Sequence, residues 1–143
     1  MNKYIVLLIA LGCFGCSSHY VSVVKVPVDK TSLASTYAGT PDPKAKVVPK
    51  GEKLYISYRI PFSMSTDDLK IRLKVIYKNL EQEEKIFPIY HRIGAVGFDL
   101  VGDKFKKTSG FFTYKAELLD KDDHVIDCNQ QRMWVDLLKL DNQ

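Results

Sequence analysis

The stretch LKIRLKVIYK, residues 69–78, alternates apolar and basic side chains. Leu69, Ile71, Leu73, Val75 and Tyr77 fall on one side. Lys70, Arg72, Lys74 and Lys78 fall on the other, and Ile76 is the one apolar residue out of step. A helix would scatter these charges around its circumference. Period two sustained over ten residues therefore predicts a strand with one buried and one solvated face.

The flanking segments carry the same signal. KLYISYRI (residues 53–60) places Leu54, Ile56, Tyr58 and Ile60 on one face. Residues 79–83 form a polar turn into KIFPIY (85–90), where Pro88 lacks an N–H and marks an edge strand. AVGFDLV (95–101) follows, then GFFTYKAELL (110–119), with Phe112, Tyr114, Ala116 and Leu118 expected to share a face. DKDD (120–123) is a hairpin turn into residues 124–127, and RMWVDLLKL (132–140), which holds Trp134, is expected as the closing strand. Thr66, Asp67 and Asp68 suit a single helical turn. Six or seven short strands with frequent turn signals and little helix predict an all-β fold, with two antiparallel sheets packed face to face.

Upstream, YVSVVKV (20–26) has the β-branched character of a short strand. Residues 27–51 hold four prolines and two glycines without a hydrophobic period and read as irregular, exposed chain. Two layouts follow. Either the strand joins the domain with the Pro-rich stretch wrapped over it, or everything to about residue 50 is a tether. The docked strand is the expected layout.

SGFFTYKAELLDKDDHVI (109–126) resembles the F–G hairpin of immunoglobulin-like and fibronectin-type domains, with Gly110 at the turn and Phe112 where such domains often carry tyrosine. Tyr114 stands where antibody-type domains place their second bridging cysteine. No inter-sheet cysteine pair and no tryptophan on the 69–78 strand accompany it, and Phe112 has no hydroxyl for a tyrosine corner. The resemblance implies an immunoglobulin-like sandwich of about seven strands, without an inter-sheet disulfide.

The chain opens with Lys3 and the apolar run YIVLLIAL (4–11). That run is too short for a spanning helix, which needs roughly 20 apolar residues, and it suits the core of a secretory signal. Gly15-Cys16, followed by Ser17-Ser18, resembles the cleavage and acylation site of bacterial lipoproteins. Gly12-Cys13 is the alternative register. The resemblance implies a signal over residues 1–15, an acylated Cys16 heading a segment over 16–51, and a sandwich domain over 52–143. It also implies membrane attachment through the acyl chains. The lack of Asp at positions 17 and 18 points, by the same resemblance, to the outer membrane.

Removing Lys3 with the signal leaves 20 basic against 17 acidic residues, a formal charge of +3. That is far from a nucleic-acid-binding balance. With Cys16 acylated, Cys128 is the remaining thiol and is expected as a small buried residue; with Cys13 acylated, Cys16 and Cys128 could pair.

Catalytic patterns are not found. His124 and Cys128, four apart on a strand, would sit roughly 13 Å from one another, too far for a nucleophile and its base. No zinc spacing, nucleophile elbow or phosphate loop occurs, and no cofactor or metal is expected. Glu81, Glu83 and Glu84 read as a solvated turn. Two surface features remain. The basic ladder Lys70, Arg72, Lys74 and Lys78 is either a plain solvent face or a contact for anionic lipid or an acidic partner. Tyr55, Phe62, Phe105, Phe111 and Trp134, out of phase or in loops, are either covered or form a protein-binding patch. The expected function is a non-enzymatic binding or structural module of the envelope with a protein partner. The alternatives are an assembly lipoprotein that carries or pilots another exported component and, less favoured, a hydrolase.

Overall fold

The computed structural model describes residues 19–29 and 50–135. Cys13, Cys16 and most of the Pro-rich stretch lie outside them. Seven strands follow in order: β1 (Val21–Val28), β2 (Gly51–Arg59), β3 (Lys70–Tyr77), β4 (Gln82–Pro88), β5 (Ile93–Val101), β6 (Phe111–Leu119) and β7 (Val125–Gln130). One helix, α1 (Gly102–Thr108), stands between β5 and β6.

The strands form a three-stranded sheet, β1-β2-β5, and a four-stranded sheet, β4-β3-β6-β7, with every pairing antiparallel. The protein is an all-β sandwich of immunoglobulin-like order. First, second and fifth strands face third, sixth and seventh, and the fourth extends the sheet of the third. No disulfide joins the sheets among the described residues.

Alternation makes the core. Leu54, Ile56 and Tyr58 of β2 face Ile71, Leu73 and Val75 of β3, and Ala116 and Leu118 of β6 complete the layer. Burial of such side chains stabilises by about 1.5–3 kcal/mol each, so these faces supply the main driving force. Strand β1 pairs with β2 along its whole length, from Val21 with Tyr58 to Val28 with Gly51, so the strand is docked on the domain, while residues 30–49 of the Pro-rich stretch lie outside the described residues.

Two carboxylates tie one sheet to the other. Asp127 of β7 accepts the backbone N–H groups of Tyr20 (2.6 Å) and Val21 (3.0 Å). Glu52 of β2 accepts the N–H of Phe111 at 2.7 Å. Gly110, at φ +108, leaves room for that carboxylate, since a Cβ there would lie 2.8 Å from Glu52 Oε2.

Several expectations need correcting. Helix α1 was not expected. Its signals are local and short: Gly102 at φ +64, Asp103 in the first turn, and Lys106 and Lys107 in the last. Strand β4 starts at Gln82, inside the expected turn, although its edge position agrees with Pro88. The last described strand is β7, which runs to Gln130. Trp134 follows in a turn, its N–H donating to Gln131 O at 2.9 Å, and residues 136–140 lie outside the described residues. Thr66 to Asp68 form a turn with Asp68 in left-handed backbone, not a helical turn.

The phase at the head of β6 is also reversed. Ile76 pairs with Thr113 and Tyr77 with Phe111, so Phe112 is an extra residue at a bulge. Phe111 turns inward, 2% exposed, and stacks on Tyr77 at 5.9 Å; Phe112 turns out, 43% exposed. Cys128 sits partly exposed on β7, paired with Glu117, rather than buried.

Candidate interaction surfaces

The outer face of the four-stranded sheet carries the basic ladder. Lys70, Arg72 and Lys74 do point outward from β3, and Lys78 follows the strand in the exposed turn. The sequence did not reveal their partners on β6 and the β6–β7 turn. Arg72 bonds Glu117 at 2.7 Å, Lys115 reaches the same carboxylate at 2.8 Å, and Lys74 stands 3.8 Å away. Lys70 pairs with Asp123 at 2.7 Å. Burial pushes the Glu117 carboxyl upward in pKa, but hydrogen bonds from Lys115 and Arg72 outweigh it and hold the group below its usual range. Any anionic ligand at the ladder must compete with Glu117 and Asp123.

The outer face of the three-stranded sheet is different in kind. Val24 of β1, Tyr55 of β2 and Gly97 of β5 form one row, and Val28, Gly51 and Val101 form another. Val24 is 54% and Tyr55 45% exposed. The charged pair on this face, Lys53 with Asp99 at 2.9 Å, is neutralised within itself. The Lys53 ammonium also lies over the Tyr55 ring at 4.8 Å, and its chain crosses Gly97, where a Cβ would meet it at 2.8 Å. A shallow groove of about 190 Å³ runs beside them, lined by Val26, Val28, Tyr55 and Val101. That is small for a ligand pocket, which typically holds about 300–1,000 Å³.

The five aromatics do not form one patch. Tyr55 lies on this open face, Phe105 packs from α1 against the core, Phe111 is in the core, and Phe62 and Trp134 lie in turns at opposite ends. The acidic cluster is likewise a fastening. Glu81 pairs with Lys107 at 2.8 Å, and Glu83 bonds Lys104 and the Tyr77 hydroxyl. These contacts clasp α1 to the β3–β4 hairpin. Lys104 also lies over the Tyr77 and Phe98 rings.

Chemistry-bearing groups are scattered. His19 bonds Asp127 at 3.2 Å, and His124 bonds Asp120 at 3.2 Å within its own turn. Asp120, Asp122 and His124 place ligand atoms within 4.8 Å of one another, but Asp120 Oδ1 already accepts the N–H groups of Asp122 and His124. An open depression of about 340 Å³ is lined by Thr66, Asp67, Leu69, Ile89 and Tyr90, with neither histidine nor cysteine in its walls. No helix among the described residues is long and apolar enough to cross a membrane. No protein-family model matches the chain, and neither a curated protein nor a solved structure matches it.

Proposed function

We propose that the protein is a lipid-anchored, non-enzymatic module of the bacterial envelope that binds another envelope protein. The anchor rests on the signal-like run and Gly15-Cys16-Ser17-Ser18, and by the same resemblance the location is the outer membrane. One observation carries the binding reading: the two outer faces are unequal. The four-stranded face is laced by ion pairs centred on Glu117 that stand between its exposed Ile86 and Val125 at the two edges, whereas the three-stranded face sets Val24 and Tyr55 side by side, with Val101 nearby and Lys53 paired to Asp99. Exposed apolar side chains gathered on one face mark protein contacts more than ligand chemistry.

A photo-crosslinking residue at position 55, with a second at position 74 as comparison, tests this in the native envelope. Position 55 should capture one defined envelope protein and position 74 should not. Capture from position 74 alone would move the contact to the basic ladder and overturn the assignment.

A further inference from the structure

Antiparallel order puts the start of β1, the β2–β3 loop, the β4–β5 loop and the β6–β7 turn at one end of the sandwich. A web of main-chain and guanidinium contacts draws the first three together. The Tyr20 carbonyl accepts the N–H of Arg59 at 2.9 Å, and Arg59 pairs with Ile93 across the sheet. The N–H of Ile60 donates to the Arg92 carbonyl at 2.7 Å. Arg92 Nη1 donates to the carbonyls of Pro61 (2.8 Å) and Met64 (2.7 Å), and its guanidinium lies 5.2 Å from the centre of the Phe62 ring. These bonds hold apolar side chains out in solvent. Phe62 is 90% exposed, Tyr90 is 77% exposed, and Ile93 stands exposed beside them. Arg59 and His91 rim the group.

Distance then selects the occupant. Cys16 stands three positions before His19, a span of at most roughly 10 Å. Even from Cys13 the reach is roughly 20 Å. The opposite end of the eight-residue β1 lies roughly 26 Å further on. An acylated cysteine would therefore bring this end, and not the other, to the bilayer. Aromatic rings with arginine beside them suit the headgroup boundary.

We propose that this end rests on a phospholipid surface, with Phe62, Tyr90 and Ile93 in the boundary between headgroups and acyl chains and Arg59 against lipid phosphate. The proposal rests on the lipid-anchor reading. Of the acidic groups at the same end, Asp67 bonds Ser65, Asp123 pairs with Lys70 and Asp120 is held by its own turn, while Asp68 and Asp122 are exposed, and Asp67 and Asp68 line the depression beside Tyr90.

The test uses the full native protein, purified from the envelope and placed in vesicles of phosphatidylethanolamine and phosphatidylglycerol containing a lipid with a diazirine in its acyl chain. After illumination, peptides are mapped for adducts, and the mass of the N-terminal peptide is read from the same sample. Adducts should concentrate several-fold on residues 60–64 and 89–93 over residues 78–81 and 102–108, and the double variant Phe62→Ser, Tyr90→Ser should lose most of them. Equal labelling of both ends, or labelling led by residues 102–108, overturns the proposal whatever the N-terminal mass. Labelling of the proposed end on a chain without acyl mass would keep the lipid-facing end and sink the anchor instead.

Discussion

The Asp127 carboxylate on β7 accepts the N–H of Val21 on β1 at 3.0 Å, joining the last described strand of one sheet to the first strand of the other. The same oxygen takes the N–H of Tyr20, and the second oxygen faces His19. A sandwich without an inter-sheet disulfide is closed along this seam by a charged acceptor.

Replacing Asp127 by alanine should therefore cost about 2–3 kcal/mol, because hydrogen bonds to a charged group are strong and two N–H groups lose their acceptor. Asp127→Asn keeps an oxygen there and should cost about half as much. Urea unfolding of the three proteins checks the order.

Acid should act through the same seam. Burial pushes the Asp127 carboxyl upward, but the His19 hydrogen bond and the backbone N–H groups outweigh it, and its folded pKa lies below the ordinary value. A group depressed on folding contributes fully above its unfolded pKa of about 4 and loses that contribution as pH falls through the folded value. Stability should thus fall below about pH 4, and less steeply in Asp127→Asn. Equal slopes in the two proteins would place the acid sensitivity elsewhere.

The bulge at the head of β6 predicts opposite outcomes for adjacent phenylalanines. Phe111→Ala empties a stacked core position and should cost about 3–5 kcal/mol. Phe112→Ala removes an exposed ring and should cost well under about 1 kcal/mol. A reversed order in thermal or urea unfolding would mean that the strand alternates without the bulge.

Glu117 is the hub of the ladder. Glu117→Leu leaves Arg72, Lys74 and Lys115 facing one another without an anion and should cost about 3 kcal/mol. Combining it with Arg72→Met should recover part of the loss, since it removes one of the three cations left without their anion. A double variant no more stable than the single one would argue against the pairing.

The two candidate acylation sites separate by mass. Cys16→Ser should abolish fatty acylation of the N-terminal peptide, and Cys13→Ser should leave it in place. Retained acyl mass in Cys16→Ser would shift the site to Cys13.

Much of the sandwich is legible in residues 53–119. The faces of β2 and β3 follow from alternation, because side chains on a strand point to opposite sides whatever the partner. Pro88 at an edge is legible for the same kind of reason, since a missing donor limits where a strand can sit. Helix α1 escapes notice because Phe105 alone gives it no apolar period, and its hold on the sandwich comes from Glu81 and Glu83 of a neighbouring hairpin.

The chain by itself determined which faces β2 and β3 bury and that the strand holding Pro88 lies at an edge, because these depend on neighbours one or two positions away. Only the tertiary structure decided what neutralises the ladder, which phenylalanine enters the core and which loops meet beside the start of β1. Those outcomes depend on groups far apart along the chain, such as Asp127 and Tyr20, separated by 107 positions. No local period records such a meeting; the packing of one sheet on the other creates it.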